Sequence, residues 1–557
     1  MASPAGFAAY TLIQYLMICA VFVALCDLAR RVFRLDDLLA FCAAVLALGV
    51  VGYLLFWIAL ASYSAFGIAK IVVLATLLVR FGAIVWQRRL ASYRWLGEPL
   101  LYVTLFAVIV LTLGFSNGGL DQPGVTAQNR FSHPLPVDNV IPLIVAIALR
   151  LGEIASPLFG EWLMSDRPPL QTGLYLTLTL QNSPLAYEIV CAWLQASFLF
   201  GVWGIAVAAN IPDRARRLIL LACCLLPTAI VNTFFTWPKL LTVGFLLLVF
   251  ALLFCRKAEN DHERRVFGIL IGGLTALSVL THGSSLFALI GFAVVVVAFR
   301  AWPPLKTMIS GFATIIVLYA PWMIYQSVFD PPANRLLKWH FAGVTDVDSR
   351  SFGTALRDAY GALSWDAWVQ GKLGNLGPLI GNWPGGVLRS IAAIFGIGSW
   401  EPAGMRAADF FELLPSLQAY SFALICALLL LPFLKAEERP QRDAVLRMLV
   451  ALFAILAVFV LLIFQPGQTI NHQGTYAVQV LATVCAFTVL ALRVPWLALA
   501  FIAVQAVTVS ATYAFTLKHD PALWPLLAIC AAATIALVGY SLSPSLRRRQ
   551  PRDRVAP

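Results

Sequence analysis

About fifteen apolar runs break up this chain, and runs of that length have few places to go in water. They lie near 8–27, 37–60, 64–86, 97–116, 186–209, 218–233, 240–255, 266–281, 284–299, 308–327, 417–435, 447–464, 474–492, 495–514 and 522–542. At about 1.5 Å of rise per residue, roughly 20 residues cross the hydrocarbon layer of a bilayer. Most runs reach that length, while 218–233, 240–255 and 266–281 are short. Inside lipid every backbone polar group must be bonded within the chain, so such runs read as helices. Composition agrees, since 61% of the 557 residues are hydrophobic and 12% charged, against about a quarter charged in soluble domains. The fold class is therefore an all-α polytopic membrane protein.

The net charge of +12 is distributed in a way that speaks against nucleic acid. Basic residues sit in short stretches between apolar runs: Arg30, Arg31 and Arg34; Arg88, Arg89 and Arg94; Arg214, Arg216 and Arg217; Arg256, Lys257, Arg264 and Arg265; and the tail from Arg547 to Arg554. A nucleic-acid binder needs a continuous basic face, whereas these clusters read as cytoplasmic anchors. Threading the runs alternately through a bilayer puts nearly all of them, and the Arg547 tail, on one side. The first run then reads as a retained helix with its N-terminus outside, not as a cleaved signal peptide. Residues 1–96 form N-terminal transmembrane helices. Residues 97–327 form a core with a first outer loop at 117–185, residues 328–416 a long outer loop, and 417–557 the C-terminal helices and basic tail. The ten cysteines avoid the long polar segments, so no disulfide framework is expected.

No Walker A, GxGxxG, HExxH or CxxC pattern occurs. What stands out is polar chemistry gathered at the outer face. Within 117–185, PVDN (136–139) opens a short apolar helix near 140–151, and SDRPPLQTG (165–173) opens another near 169–181. Both are too short to cross and are expected along the interface. Asp138 reads either as an N-cap or as a general base whose proton affinity desolvation raises. Arg167, beside two prolines that rigidify a turn, is placed to hold a phosphate bidentately. In NTFFTWPKLL (232–241), Trp237 and Lys239 read as an interfacial belt residue and a snorkelling charge, or as part of the same site. His282 lies in a third turn, LTHGSS (280–285). In DPPANRLLKWHFAG (330–343), Arg335 and Lys338 share a helix face, with Trp339 and His340 beside them. Asn471 and His472 fall in a further outer turn, and Asp346 and Asp348 read as solvated acids in a polar loop. Carboxylate, guanidinium, ammonium and imidazole groups at one membrane face suit a phosphate-bearing lipid.

An Asp in the first long outer loop, a short apolar helix, then the corner Asp166-Arg167-Pro168-Pro169 opening another helix resembles the GT-C glycosyltransferases. The nearest by this pattern are the protein O-mannosyltransferases and the lipid A aminoarabinose transferases, where the corner usually reads Glu-Lys-Pro-Pro. The likeness covers roughly 97–300. It implies a GT-C-like bundle of about fifteen helices with extracytoplasmic interfacial helices, in a multi-pass bacterial inner membrane, with the site facing outward. It also implies a polyprenyl-phosphate-linked sugar donor and an inverting transfer to an acceptor that stays open. Asp138 and His282 would be catalytic, and Arg167, Lys239, Arg335 and Lys338 would bind the donor phosphate. Two departures matter: Asp138 is followed by Asn139 where the family often has an acidic pair, and the second outer turn carries Trp237-Pro238-Lys239 where relatives often place an acid. Both weaken the carry-over of a divalent metal, so no metal ligand is assigned and the cofactor stays open. The TWPKLL and NRLLKWH segments set the chain apart as a bacterial branch of its own. A transporter or flippase of a lipid-linked or anionic glycan, or a glycan polymerase or ligase, is the alternative. The run centres are nearly free of charge, which favours an enzyme over a transport pathway.

Overall fold

A computed structural model of the protein describes residues 3–131, 135–399, 412–465, 476–515 and 520–543. Asn471, His472, the Arg547 tail and part of the SWEP stretch at 399–402 lie outside these residues. Among the described residues eleven helices are long and apolar enough to cross a bilayer, from Pro4–Phe33 to a last stretch at Pro521–Leu542. A bent pair and three shorter apolar helices, Lys239–Cys255, Ser285–Ala298 and Ala419–Phe433, occupy the remaining expected positions. Among the described residues the only β-type pairing is an isolated bridge between Phe159 and Trp162. The chain is an all-α polytopic membrane protein.

Local chemistry sets the helix starts. Asp36 accepts from the Leu39 N–H at 2.8 Å, Asn260 from Glu263 at 2.9 Å, and Ser183 from Ala186 at 3.2 Å with Pro184 at the first helical position. The run expected as one span at 218–233 is instead two helices, Asp213–Cys224 and Pro227–Phe235, bent by 61°. Pro227 explains the break, because it offers no N–H and pushes Leu226 out of the helical region, to φ −69° and ψ 125°.

Close backbone approaches fix how the helices meet. Gly268 and Gly272, four apart on Asp261–Thr281, face Gly311 of Leu305–Val328, and a Cβ on Gly272 would lie 2.1 Å from the Gly311 carbonyl oxygen. This is the small-residue packing by which helices associate in lipid. Gly52 of Asp37–Ala61 meets the outer-segment helix Leu170–Leu178 in the same way, since a Cβ on Gly173 would come within 2.3 Å of the Gly52 carbonyl. That contact seats Leu170–Leu178, and the Arg167 corner before it, directly on the bundle.

The two long polar segments are mostly helical. The first holds short helices at Pro123–Asn129, Ile141–Leu151 and Leu170–Leu178, the second at Arg335–Ala342, Phe352–Gly361, Trp365–Ile380 and Gly385–Ile394. They meet through Asp330, whose carboxylate accepts from the Ser165 N–H at 2.7 Å, and Gln326 of the preceding span Leu305–Val328 donates to the Ser165 carbonyl at 3.0 Å.

Candidate functional site

Asp138 sits in a short 3-10 turn, Val137–Val140, that feeds Ile141–Leu151. Its side chain caps neither element: the position before the helix is Val140, and no side chain bonds there. The capping alternative is thereby overturned. The carboxylate is buried and makes an ion pair through Oδ2 with Nη2 of Arg167, while Oδ1 has no hydrogen-bond partner among the described residues. A buried carboxylate with one unbonded oxygen has a lone pair available to accept a proton.

Arg167 reaches Asp138 from the corner the sequence singled out. A turn at Met164–Asp166 precedes it, and Pro168-Pro169 lead into Leu170–Leu178. Its guanidinium carbon lies 4.5 Å from the centre of the Trp162 ring and 5.7 Å from that of Trp237. The aromatic faces attract the cation and strip water from it. Trp162 also carries Arg335 at 5.4 Å. Arg335 in turn donates to Asp166 Oδ2 at 3.0 Å, to the Glu161 carbonyl at 2.9 Å and to its carboxylate at 3.1 Å. Burial pushes the Asp166 carboxyl above the usual carboxylate range, against the pull of the Leu163 N–H and of Arg335. Lys338, three residues further along the same helix and also buried, donates to the Asp348 carbonyl. Arg335 therefore joins the cluster through Trp162 and Asp166, whereas Lys338 is tied to the outer loop at Asp348, and both charged ends are already on protein acceptors.

The Trp237-Pro238-Lys239 turn contradicts its belt-and-snorkel reading. Trp237 is 2% exposed and Lys239 1% exposed, so neither faces lipid or water. Thr236, at φ 55°, ends the Pro227–Phe235 helix, and Pro238 starts Lys239–Phe250. This aims the ammonium at 3.8 Å from the Trp237 ring centre and 5.2 Å from that of Tyr476, within electrostatic reach of Asp138 and Arg167.

A network that sequence reasoning did not single out ties these turns together. Tyr187 donates to the Asn139 carbonyl at 2.8 Å and accepts from Gln171 Nε2 at 2.9 Å. The same Gln171 nitrogen donates to the Thr236 carbonyl at 2.8 Å, and its oxygen accepts from Gln195 at 3.0 Å. Gln195 Oε1 then accepts the Leu241 N–H at 3.1 Å. One buried chain of amides thus holds the backbone next to Asp138 and the backbone on both sides of Lys239. Its signal was present, because glutamines within apolar helices are costly unless they bond.

His282 follows Asp261–Thr281 and is buried, its ring edge-on to Trp237 at 6.3 Å. Nδ1 accepts from the Ser284 N–H at 3.1 Å. A neutral ring accepting at Nδ1 carries its proton on Nε2, which lies 3.4 Å from Arg167 Nη1. Two N–H groups then face each other, and an acceptor placed between them would satisfy both. A cavity of about 70 Å³ opens here, lined by Asp166, Arg167, His282, Ser284, His340 and Phe341 among others.

Burial first, then the nearby Lys239 and Arg167 charges, holds His282 well below the usual imidazole range and His340 down at about 3. An unfolded histidine titrates near pH 6.5, at about which the unfolded chain starts to bind protons that the folded one refuses. Stability is therefore whole above pH 6.5 and falls on acidification between there and about 3 for His340, by at most about 1.4 kcal/mol per pH unit for each histidine. The melting temperature of the detergent-solubilised protein should drop between pH 7 and 5, with a shallower slope for His340→Gln. An unchanged slope in that variant would mean the ring is not kept neutral.

Among the described residues no three His, Cys, Asp or Glu side chains gather where they could hold a metal ion. No family profile and no curated protein matches the chain. Two solved structures are similar in part. The crystal structure of ArnT from Cupriavidus metallidurans bound to undecaprenyl phosphate is 14% identical, with 79% of this chain and 71% of that one covered at a TM-score of 0.47. The apo structure of ArnT from the same organism is 15% identical, covering 72% and 78%, at 0.34. At these scores neither likeness bears on what this chain does.

Proposed function

We propose that this chain is an inverting glycosyltransferase that moves a sugar from a polyprenyl-phosphate-linked donor to an extracytoplasmic acceptor at a bacterial plasma membrane. The observation that carries the reading is the buried cluster at one end of the bundle. There a carboxylate with one unbonded oxygen is held against a guanidinium, which itself faces an imidazole N–H across a small cavity. The acceptor hydroxyl oxygen forms a bond to the anomeric carbon as the bond from that carbon to the phosphate oxygen breaks on the opposite face. Asp138 takes the hydroxyl proton on Oδ1, and the polyprenyl phosphate leaves with the bonding pair, stabilised by Arg167 and Lys239. His282, kept neutral, supplies a hydrogen bond from Nε2–H to the phosphate. Arg335 and Lys338 act one step back, Arg335 by neutralising Asp166 beside Arg167 and Lys338 by fixing the outer loop. Because Arg167 is paired with Asp138, a phosphate that draws it away also frees the base.

The purified protein in liposomes, given a labelled undecaprenyl-phosphate-linked sugar and candidate acceptors, should release undecaprenyl phosphate. Affinity for undecaprenyl phosphate should fall on the order of tenfold in Arg167→Ala and in Lys239→Ala, the loss of roughly one charge-assisted contact. Donor that crosses the bilayer unconsumed, with binding unchanged in both variants, would replace this reading with the transporter.

A further inference from the structure

At the opposite end of the bundle lies a second charged centre that the transfer reaction does not use. Asp27, fully buried near the end of Pro4–Phe33, is surrounded by three guanidinium groups. Arg31 Nε donates to Oδ1 at 3.0 Å, Arg80 Nε to Oδ2 at 2.6 Å with its Nη2 on the same oxygen, and Arg89 Nη2 lies 3.5 Å from Oδ1. The Tyr93 hydroxyl donates there as well. One carboxylate cannot neutralise three guanidiniums, so two positive charges remain. They are only partly solvated, the arginine side chains being 43%, 25% and 33% exposed in that order. Nη1 of Arg89 is buried and has no hydrogen-bond partner among the described residues.

The surroundings say which anion can reach this centre. Arg80 belongs to the Tyr63–Trp86 span, which buries 11% of its apolar window, against 72% for each of the neighbouring spans Pro4–Phe33 and Asp37–Ala61. Its uncovered surface carries Ile68, Ile71, Val72, Val79 and Val85, and ends in Trp86, 89% exposed. An exposed tryptophan at the end of a span marks the headgroup level. Arg80 lies six residues before it, roughly 9 Å deeper along the helix. The Arg80 backbone therefore lies below the headgroups, and its long side chain snorkels its guanidinium back toward the interface, within reach of a lipid phosphate and beside a surface left uncovered by protein.

We propose that the Arg31–Arg80–Arg89 centre binds the headgroup of an anionic phospholipid whose acyl chains lie along Tyr63–Trp86. A zwitterionic headgroup brings its own cation and leaves the two charges in place. Cardiolipin, with two phosphates, matches the excess, and phosphatidylglycerol meets half of it. Each basic side chain near a membrane surface adds measurably to anionic-lipid binding, so two uncompensated charges should give a preference on the order of tenfold or more.

The test is lipid retention and thermal stability of the detergent-purified full chain, titrated with cardiolipin, phosphatidylglycerol, phosphatidylcholine or inorganic phosphate. Cardiolipin should raise the melting temperature most and stay bound in native mass spectra, phosphatidylglycerol less, phosphatidylcholine least. Arg89→Gln, which alters the longest of the three pairings, should fold and lose most of the cardiolipin preference. Equal stabilisation by phosphatidylcholine would overturn the proposal. So would the same shift with inorganic phosphate, which would make the centre a plain anion site, or an undiminished preference in Arg89→Gln. If Arg89→Gln cannot be isolated, the mass spectra of the parent protein decide alone, and no preference for cardiolipin there refutes the site.

Discussion

Asp138→Asn should bind undecaprenyl phosphate more tightly than the parent while transferring sugar on the order of 100-fold more slowly. The loss follows from removing a general base, an effect of about 10² or more. The gain follows from the ion pair: Arg167 is engaged by the Asp138 carboxylate, and a phosphate must compete with that carboxylate. Replacing it with a neutral amide of the same shape removes the competitor, and affinity should rise up to about tenfold, or roughly 1.4 kcal/mol. Simple repulsion between Asp138 and any phosphate would also tighten binding, so the measurement is repeated with Arg167→Gln as background. If the effect passes through Arg167, the Asn substitution there should change affinity by less than about 0.5 kcal/mol. A variant that transfers at near-parental rate would remove Asp138 from the chemistry and leave Asp166, Glu161 or Glu153 to be tried. One that binds the lipid phosphate no better, with transfer lost, would keep the base and dismiss the competition.

Much of this arrangement is legible in the sequence, and for a physical reason. A bilayer demands helices of a set length, so hydropathy alone placed the apolar helices, departing where Pro227 divides one and where Lys239–Cys255, Ser285–Ala298 and Ala419–Phe433 are shorter than a full crossing. The outer corner was legible because Pro168-Pro169 have few conformations to choose from. Burial at a distance was not legible. Lys239 looks like a snorkelling end charge when its neighbours in sequence are the only ones known, yet Trp237 and Tyr476, the latter more than two hundred residues away, enclose it. The occupation of Arg335 by Asp166 and Glu161 was equally hidden, because both acids come from the first polar segment and Arg335 from the second, and nothing local sets their pairing. Gln171 and Gln195 carried a signal, being polar residues in apolar helices, but their partners on Tyr187, Thr236 and Leu241 follow only from packing.

Arg167→Gln should be the most destabilising single change in the site. It leaves the Asp138 carboxylate buried with neither of its oxygens on a guanidinium, and removing one partner of a buried pair costs about 3–5 kcal/mol. It also removes the cation from the Trp162 face, worth about 0.5–2 kcal/mol when desolvated. Asp138→Asn alone should cost less, because the stranded charge is then Arg167, which keeps the Trp162 ring and an amide oxygen to donate to. The double variant Asp138→Asn/Arg167→Gln, with no charge left unpaired between the two, should recover part of the loss, so its cost is smaller than the sum of the singles. Arg167→Lys separates charge from shape: it should restore most of the stability but not phosphate affinity, since an ammonium cannot offer the planar fork that holds carboxylate or phosphate at two points. Unfolding in detergent, followed by tryptophan fluorescence, gives the four stabilities, and undecaprenyl phosphate titration gives the affinities. Additive costs across the Asp138 and Arg167 variants would mean that the pair is incidental to the fold. In that case a phosphate could not free the base by drawing Arg167 away, and the two residues would have to be assigned to separate steps.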